Sequence, residues 1–355
     1  MSTERIEVGI LGATGMVGQH FINFLQGHPW FDLTWLGASD RSAGKKYKDA
    51  ATWHLSGGTP ANVANQTVRE SKPGGAGLTE APKLLFSAMD ASVATEIERA
   101  FAEAGHIIVS NSRNHRMEAD VPLLVPEVNP DHLKLLVEQR KVRGWKGSIV
   151  TNPNCSTIVL TMALAPLKQF GIERVLVTTM QAISGAGYPG VSSIDINANV
   201  VPFIGGEEEK MQQETQKILG DFAGGHIEPL AAAVSAHCNR VPVFDGHTIA
   251  VSVDLKAKPT IQEVRAAMES FVSAPQERKL PSAPVQPVQY MEEKDRPQPR
   301  KDVERDRGMA CFVGRLRECN VLGYKFVALG HNTVRGAAGA AVLNAELMHS
   351  EGLLN

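Results

Sequence analysis

The N-terminal segment constrains the fold more than any other part of the sequence. A short apolar strand is predicted over 6–11, and it leads directly into the glycine-rich stretch Gly12-Ala-Thr-Gly15-Met-Val-Gly18. A stretch of helical periodicity with large apolar residues on one face follows, and a second strand is predicted over 33–38. Strand, glycine turn, helix and strand in this order form the βαβ unit that binds a dinucleotide, so we predict such a unit here.

Each glycine of this turn has its own expected task. Gly12 permits the tight turn, Gly15 lets the backbone approach a pyrophosphate, and Gly18 allows the helix to pack closely on the strand. The phosphate would then lie at the N-terminus of the helix, where free N–H groups and the helix dipole favour an anion. A glycine turn with a purely structural role is the alternative.

Further βα units extend the first sheet, and the pattern changes in the second half of the chain. Strands predicted over 83–87 and 106–110, with a helix over 91–104 between them, favour a Rossmann-like doubly wound parallel sheet. Beyond residue 172, longer strands indicate an α+β domain with an antiparallel or mixed sheet. These strands are predicted over 174–183, 247–255, 310–317 and 324–329. The fold class is therefore α/β with a second, α+β domain.

The remaining segments set the predicted domain limits. Five prolines and many charges over 281–300 predict a long loop or arm. A Gly/Ala-rich stretch begins at residue 333 and becomes helical toward 349, and we expect this C-terminal helix to return to the first domain. The first domain is thus predicted to comprise 1–154 and 331–355, and the second 155–330.

Composition restricts the classes of function. The 355 residues carry a net charge of −2, and no basic patch indicates a nucleic-acid partner. No stretch approaches the roughly 18 apolar residues of a membrane helix, and the first strand begins too early for a signal peptide. Four cysteines without CxxC spacing suit a reducing compartment, which indicates the cytoplasm. The eleven histidines form no HxxH or HExxH motif, so no metal site is predicted.

Cys155 carries the strongest chemical signal. It lies in Thr151-Asn-Pro-Asn-Cys-Ser-Thr157, after a short strand and before an apolar stripe of helical spacing. Asn154 is expected to cap this helix, which puts Cys155 in the first turn. Free N–H groups and the positive end of the helix dipole favour a thiolate there, and the thiolate is the nucleophilic form. The alternative is a small buried structural cysteine.

The end of the second strand carries the signals that distinguish NAD from NADP binding. The hydroxyls of Ser39 and Ser42, the guanidinium of Arg41 and the following Lys45 suit a 2′-phosphate. Asp40 would oppose a phosphate only if its side chain points inward. We predict NADP, and a polar turn with solvated charges is the alternative.

A second polar segment follows at residues 181–187. Gln181 ends a predicted strand and could orient a substrate carbonyl, while Ser184 and Gly185 could contact a nicotinamide ring. A strand end with a plain glycine turn explains the same residues, and by themselves they fit that reading better.

Arg240 and His247 lie at the two ends of a turn that leads into a strand. Arginine is a natural bidentate partner for a carboxylate, and histidine exchanges protons near neutral pH. The alternatives are a surface ion pair for Arg240 and a structural strand-edge position for His247. His237 is a rival base, which the pattern alone does not exclude.

With these residues in place, the sequence resembles the aspartate-semialdehyde dehydrogenase family over nearly its whole length, and the archaeal and fungal branch in particular. The motifs that carry the resemblance are Gly12-Ala-Thr-Gly-Met-Val-Gly18, Leu85-Phe-Ser-Ala-Met89, Ser110-Asn-Ser-Arg-Asn114, Val125-Pro-Glu-Val-Asn129, Asn152-Pro-Asn-Cys155, Gln181-Ala-Ile-Ser-Gly185, Gly205-Gly-Glu-Glu-Glu-Lys210, Asn239-Arg-Val-Pro242 and His331-Asn-Thr-Val-Arg-Gly-Ala-Ala-Gly339. Asn-Pro-Asn-Cys together with Gln-Ala-Ile-Ser-Gly, and an arginine seven residues before a histidine, is highly specific.

The resemblance implies a role for each matching residue. Cys155 would be the nucleophile, His247 the general acid/base, and Gln181 the residue that orients the acyl intermediate. Arg240 would bind the α-carboxylate of the substrate, and Glu207, chosen from three consecutive glutamates because it precedes Lys210 by three, would contact its amino group. The residues expected to hold inorganic phosphate or the acyl phosphate are Lys210, Arg113 and Asn114. The residues expected to contact the cofactor are Gly12, Thr14, Gly15, Met16, Val17, Ser39, Arg41, Ser42, Ser87, Ser184, Gly185, Asn332 and Thr333.

The resemblance also implies a reaction. NADPH would reduce L-aspartyl-4-phosphate to L-aspartate 4-semialdehyde with release of inorganic phosphate, through a cysteine thioester, in the biosynthesis of lysine, threonine and methionine. The reverse reaction is a phosphorylating oxidation. The first domain would then bind NADP, and the second would be the catalytic and oligomerisation domain of a homo-oligomer, a dimer or a tetramer.

Three other functions are alternatives to the reduction of aspartyl phosphate. Malonyl-CoA reductase would use the same cysteine and NADPH but release CoA, and N-acetyl-glutamyl-phosphate reductase is a weaker match. A non-catalytic NADP-binding sensor or scaffold would be expected to lack the nucleophile or the base, and this sequence has both.

Overall fold

Six strands in the first half of the chain form one parallel sheet. The computed structural model describes residues 5–354. The strands of this sheet are β1 (Ile6–Leu11), β2 (Phe31–Ala38), β3 (Arg69–Glu70), β4 (Leu84–Ser87), β5 (Ile107–Ser110) and β6 (Ser148–Thr151). Their order across the sheet is β3-β2-β1-β4-β5-β6, and every neighbouring pair is parallel. This is the strand order of doubly wound dinucleotide-binding folds, so the predicted Rossmann-like sheet is confirmed.

The second sheet is mixed and also has six strands. Its strands are β7 (Ile172–Gln181), β10 (Ala233–Arg240), β11 (His247–Leu255), β12 (Val288–Met291), β13 (Cys311–Cys319) and β14 (Gly323–Gly330). Two further short strands, β8 (Asp221–Phe222) and β9 (Ile227–Glu228), form a separate two-stranded ribbon. The order in the sheet is β10-β7-β11-β14-β13-β12, with parallel pairs at both edges and antiparallel pairs between them. The predicted mixed sheet is therefore confirmed.

Helices cover both faces of the first sheet and one face of the second. They are α1 (Met16–Phe24), α2 (Tyr47–Ala50), α3 (Ala61–Ala64), α4 (Ala76–Glu80), α5 (Ala91–Ala104), α6 (Leu135–Arg143), α7 (Cys155–Leu164), α8 (Ser193–Ile196), α9 (Glu207–Ile218), α10 (Ile261–Glu269), α11 (Ala274–Glu277), α12 (Pro299–Asp302) and α13 (Gly339–Ser350). Within residues 5–354, none of them has both the length and the apolar character needed to cross a membrane.

The chain passes between the two sheets twice, and both passages meet at Cys155. After β6 the chain enters α7, whose residues beyond Cys155 are all buried in the core of the second sheet. After β14 a π-helical turn at Val334–Ala338 leads into α13, which packs into the core of the first sheet. Gly336 of this turn lies against the start of α7, since an added Cβ would be 2.6 Å from the Cβ of Cys155. The predicted return of the C-terminal helix is confirmed.

The local structure differs from the sequence-based expectation at three places. The arm predicted over 281–300 contains strand β12, which pairs with β13 and has Pro287 just before it rather than within it. Strand β10 was not predicted, because its sequence is polar and small; it is held by pairing along its whole length with β7. Helix α7 is buried on all sides instead of along one stripe, since it lies between β-strands and α9.

One face of the second sheet is open. Exposed and buried residues alternate along β7 and β10, so that Leu176, Thr178 and His237 point away from the helices. Leu176 is 45% exposed, which is unusual for a large apolar side chain in the middle of a sheet.

Candidate active site

Strand pairing brings three predicted site residues together at one end of the second sheet. In that sheet β7 lies between β10, which is parallel to it, and β11, which is antiparallel. The last residues of β7 and β10, Gln181 and Arg240, are therefore direct register partners. His247 opens β11, and because β11 runs the other way, its first residue lies at the same end.

Cys155 approaches this end from the first turn of α7. Asn154 caps the helix: its side-chain oxygen accepts from the N–H groups of Ser156 at 2.9 Å and Thr157 at 3.3 Å. The cap satisfies two N–H groups that a helix otherwise leaves without partners. It also fixes the backbone at the first residue of the helix, Cys155, and thereby the direction in which the Cys155 side chain points.

The sulfur of Cys155 lies 3.1 Å from Nε2 of His247, whose side chain is fully buried. Nδ1 of the same ring accepts a hydrogen bond from the backbone N–H of Ala182 at 3.1 Å. Because a nitrogen that accepts carries no proton, the proton of the neutral imidazole is on Nε2 and points toward the sulfur. His237, the rival base, is exposed on the open face of the sheet and takes no part in this contact.

Burial dominates the acid–base properties of this pair. The protein packed around the sulfur raises the pKa of Cys155 to about 12; the carboxylate of Glu207 adds to the rise, and Arg240 and Arg116 oppose it. Burial also lowers the pKa of His247 to about 3, together with the charges of Arg240 and His331. The helix N-terminus favours a thiolate at this position, whereas burial acts in the opposite direction and raises the pKa of the sulfur.

Arg240 is a buried cation beside the pair. The residue is 7% exposed, and its Nη1 donates to the carbonyl oxygen of Ala182 at 2.8 Å. Burial lowers the pKa of its guanidinium. Among the residues that the structure describes, no carboxylate lies within 4 Å of this guanidinium. A buried arginine with unused donors suits the carboxylate of a small ligand.

Helix α9 begins at Glu207 and contacts the same place from another side. One carboxylate oxygen of Glu207 accepts from the side-chain amide of Asn154, and the other lies 3.2 Å from Nζ of Lys210. Glu207 is 6% exposed, so its charge is close to the cap of α7 and poorly solvated. A ligand ammonium group would compensate this charge well.

The structure does not bring Arg113 and Asn114 to Cys155. Arg113 is exposed, and the amide of Asn114 donates to the carbonyl oxygen of Ala91 at 2.8 Å and to the hydroxyl of Thr95 at 2.6 Å. These contacts tie the loop after β5 to helix α5. Within residues 5–354, neither residue makes a hydrogen bond to Cys155 or His247.

Arg116, which the sequence analysis missed, lies closer to the pair. It is 8% exposed, its charge opposes the rise in the pKa of Cys155, and its Nε has no partner within residues 5–354. The available signal was a second arginine three residues after Arg113. Only the path of the loop decides which of the two faces inward, and the sequence pattern does not show that path.

The glycine-rich turn leaves open space at the start of α1. Gly12 has φ +78°, and an added Cβ would lie 2.6 Å from a backbone carbonyl oxygen, so a larger residue does not fit. Gly15 is the N-cap of α1, no side chain caps this helix, and an added Cβ at Gly15 would meet only one atom, at 3.7 Å. The N–H groups of Met16 and Val17 have no backbone acceptor among the described residues, so they and the adjacent Thr14 border a cradle suited to a pyrophosphate.

The residues predicted to read the ribose lie just beyond β2. Ser39 and Arg41 are exposed and Ser42 is partly exposed. The carboxylate of Asp40 accepts from the backbone N–H of Arg41 at 2.8 Å, which uses one of its oxygens within the turn. The arginine and the two hydroxyls are thus the groups with unengaged donors at this position.

Several predicted cofactor residues already have partners inside the protein. The hydroxyl of Ser87 is fully buried and donates to Glu98 at 2.5 Å, because that buried carboxylate needs donors. The amide of Asn332 donates to the hydroxyl of Ser184 at 2.8 Å and accepts from the N–H of Gly246 at 2.8 Å. Thr333 lies 3.3 Å from the ring of His331.

Gly185 and Gln181 complete the surroundings of the pair. An added Cβ at Gly185 would lie 2.9 Å from the guanidinium of Arg240 and 3.0 Å from the ring of His247, so the absence of a side chain lets this turn pack over both. The amide of Gln181 donates to the hydroxyl of Thr179 at 3.3 Å. In the described part of the chain, no hydrogen bond joins Gln181 to Cys155 or His247.

A group of possible metal ligands lies near this site. Asp245, Glu304 and His331 each offer one atom, and these atoms are all within 4.8 Å of one another. They come from three separate segments, so spacing along the sequence gives no sign of them. Glu304 has a side chain that is 78% exposed, and we assign no function to the group.

Comparisons with known proteins agree with this geometry. Two family models match, the semialdehyde dehydrogenase NAD binding domain over residues 7–136 and the semialdehyde dehydrogenase dimerisation domain over residues 164–335. The chain is 52% identical to the aspartate-semialdehyde dehydrogenase of Methanothermobacter thermautotrophicus (97% of this chain, 99% of the relative) and 48% identical to that of Schizosaccharomyces pombe (98% and 99%). A crystal structure of the Candida albicans aspartate semialdehyde dehydrogenase with NADP superposes with a TM-score of 0.90 at 43% identity, covering 99% of this chain and 100% of that one. The resemblance seen in the motifs is confirmed, and the chain belongs to the aspartate-semialdehyde dehydrogenase family.

Proposed function

We propose that this enzyme interconverts L-aspartyl-4-phosphate and L-aspartate 4-semialdehyde, with NADP(H) as the redox partner and inorganic phosphate as the group released or taken up. Membership of the family supports the reaction class. The observation that carries the substrate assignment is Arg240, a buried guanidinium with no carboxylate partner among the described residues, next to Cys155. The substrate would supply that carboxylate.

The N-terminal sheet is the proposed site of NADP. The related Candida albicans structure contains NADP, and the turn at Gly12–Gly18 fits a pyrophosphate because the start of α1 is uncapped and open. Arg41 with Ser39 and Ser42 would hold the 2′-phosphate. When bound, NADPH supplies the hydride that reduces the acyl group.

In the direction of reduction, the sulfur of Cys155 forms a bond to the acyl carbon, and the bond from that carbon to phosphate breaks. The proton of the Cys155 thiol passes to the departing phosphate, which leaves as hydrogen phosphate. Since the proton of His247 is on Nε2, this ring keeps its proton and donates a hydrogen bond to the sulfur and then to the developing oxyanion. Ala182 keeps the ring in this tautomer. His247 is therefore proposed to act first as a hydrogen-bond donor.

Glu207 contributes to the raised pKa of Cys155, and a substrate ammonium placed beside Glu207 would cancel its effect on the sulfur. Substrate binding would thus remove one cause of the raised pKa, while the larger cause, burial, remains. Covalent catalysis divides a difficult reduction into two easier steps.

Two cations are proposed to hold the phosphate. Lys210 comes from α9, and Arg116 replaces the predicted Arg113 and Asn114, because its guanidinium is buried and its charge reaches Cys155. Gln181 remains a proposed orienting residue for the acyl group; its amide would have to leave Thr179 to do so. Malonyl-CoA reductase activity is not favoured, because the relatives that are about 50% identical over almost the whole chain are aspartate-semialdehyde dehydrogenases.

Self-association is proposed through the open face of the second sheet. The matched family model for this part of the chain is named for dimerisation, and Leu176 is the apolar residue that such a contact would cover. The oligomeric state, dimer or tetramer, is left to measurement.

The proposed domain limits follow the two passages of the chain at Cys155 and His331. They give a first domain of residues 1–154 with 331–355, and a second domain of residues 155–330. The four cysteines are all unpaired, which supports a reducing compartment such as the cytoplasm.

A phosphate-dependent assay tests the proposal. Purified protein is incubated with aspartate semialdehyde, NADP and phosphate, and NADPH is followed by its absorbance. We expect turnover that requires phosphate and is lost in Cys155→Ala, while NADP binding persists in that variant. Turnover retained by Cys155→Ala, or turnover with malonyl-CoA and NADPH but none with aspartate semialdehyde, would overturn the assignment.

A further inference from the structure

Helix α9 presents one charged face to the surroundings of Cys155. Glu207, Lys210, Glu214 and Lys217 follow one another at intervals of three or four residues, which places them on the same side of the helix. Glu207, Glu214 and Lys217 are 6%, 2% and 7% exposed. Buried charges of this kind are costly unless each has a specific partner, so their partners indicate what the helix holds in place.

Glu214 has two partners, one for each carboxylate oxygen. Oε1 accepts from Nη1 of Arg116 at 3.0 Å, and Oε2 accepts from the backbone N–H of Asn154 at 2.6 Å. Asn154 caps α7 and directly precedes Cys155. A single buried carboxylate therefore joins an arginine of the first half of the chain to the peptide group next to the nucleophile.

Arg116 keeps much of its hydrogen-bonding capacity despite this contact. Besides the bond to Glu214, Nη2 donates to the carbonyl oxygen of Asn111 at 2.8 Å, and Nε has no partner within residues 5–354. A guanidinium has five N–H donors in a fixed plane, so most of the remaining donors are available to an anion. Glu214 holds one edge of the plane and thereby fixes the direction in which the others point.

Lys217 supports the same loop independently, one turn further along α9. Its Nζ donates to the carbonyl oxygens of Arg116, Glu118 and Val121 at 2.8, 2.8 and 2.9 Å. The helix thus holds the side chain of Arg116 through one residue and its backbone through another.

We propose that Glu214 is a positioning residue that fixes the phosphate-binding arginine, Arg116, relative to the sulfur of Cys155. The proposal rests on the proposed function, because it takes phosphate as the anion that Arg116 holds. Glu214 itself does not touch substrate. Its carboxylate sets the distance between two groups that must meet the same acyl phosphate, and such placement decides rates.

A double-mutant cycle tests this role. The variants are Glu214→Gln, Arg116→Ala and the double variant, with Glu209→Gln as the control, because Glu209 is an exposed acid on the same helix. Glutamine keeps the shape and one acceptor for the N–H of Asn154 but loses the charge that holds Arg116. We measure KM for phosphate and kcat in the oxidative direction, the rate of Cys155 alkylation by iodoacetamide, and Tm.

In Glu214→Gln we expect KM for phosphate to rise about tenfold, the size of one hydrogen bond to a charged group, with kcat changed less than threefold. The alkylation rate should stay close to that of the unaltered enzyme, Tm should fall measurably because the buried Arg116 loses its charged partner, and Glu209→Gln should match the unaltered enzyme throughout. Adding Glu214→Gln to Arg116→Ala should raise KM no further, because the residue acts through Arg116.

An unchanged KM for phosphate in Glu214→Gln, or independent and multiplicative effects in the double variant, would overturn the proposal. A loss of Tm together with all kinetic constants would show a merely structural role and would overturn it too. Failure of the proposed function would look different, since the unaltered enzyme would then show no phosphate-dependent turnover at all.

Discussion

Replacing Gly336 by alanine should reduce turnover strongly, although this glycine touches no substrate in the proposed mechanism. Its N–H donates to the carbonyl oxygen of His331 at 2.8 Å, which closes the π-helical turn. An added Cβ would lie 2.6 Å from the Cβ of Cys155 and 3.0 Å from its Cα. Ordinary contacts between such atoms are about 1 Å longer, so the turn and the start of α7 must separate by about that distance.

The magnitude follows from that displacement. A misplacement of about 1 Å at a reacting group costs on the order of 100-fold in rate, whereas overpacking a buried site costs about 1–3 kcal/mol of stability. We therefore expect kcat of Gly336→Ala to fall about 100-fold while the protein remains folded. KM for NADP should change less than kcat, because among the proposed cofactor residues only Asn332 and Thr333 directly precede this turn.

The assay compares Gly336→Ala with Gly205→Ala, a matched control because an added Cβ at Gly205 meets no atom within 4 Å. The phosphate-dependent rate, the rate of Cys155 alkylation and Tm are measured for both. The control should behave as the unaltered enzyme does. A kcat within twofold of that enzyme in Gly336→Ala would refute the reasoning, since it would mean that the turn moves aside without shifting Cys155.

Three further outcomes are expected from the same geometry. Arg240→Lys should raise KM for aspartate semialdehyde by about 10- to 100-fold with a smaller effect on kcat, since lysine lacks the bidentate fork; an unchanged KM in steady-state kinetics would contradict the assigned role. Because the pKa of Cys155 is raised to about 12, alkylation of the enzyme without substrate should accelerate about tenfold per pH unit from pH 7 to pH 10. A plateau below pH 8 would indicate a preformed thiolate instead. His247 has a folded pKa of about 3 against 6.5 in the unfolded chain, so the unfolded state binds the extra proton and stability falls as pH decreases below 6.5. Denaturant titrations should show about 1.4 kcal/mol per pH unit more loss between pH 6.5 and 5 than in His247→Gln, and equal slopes would speak against a neutral buried ring.

Local signals in the sequence predict the first sheet and the position of Cys155 well. The strand at Ile6–Leu11 and the helix at Ala91–Ala104 are found at the predicted limits, because turn glycines, caps and apolar periodicity act over a few residues. Asn154 caps α7 as its type suggests. These features depend on neighbours in sequence, so the sequence pattern contains them.

Other features depend on partners that are far away in the chain. Strand β10 forms because β7 pairs with it, and β12 because β13 does. Which of the two arginines, Arg113 or Arg116, is turned inward depends on the path of the loop, and the partner that holds Arg116 is Glu214, a residue of a distant helix. The helix dipole that favours a thiolate at Cys155 is visible in the sequence, whereas the burial that raises the pKa of this residue depends on protein packed around it from distant parts of the chain.

The meeting of both chain passages at Cys155 also links catalysis to assembly of the molecule. The nucleophile sits where the chain leaves the first sheet, and Gly336 covers it where the chain comes back. Neither half of the polypeptide contains both parts, so a fragment ending before the turn at Val334–Ala338 would carry Cys155, Arg240 and His247 and still lack Gly336, which covers the sulfur. Enzymatic rate is then a direct report on the correct docking of the two halves, and during refolding it should appear last, after each core has formed.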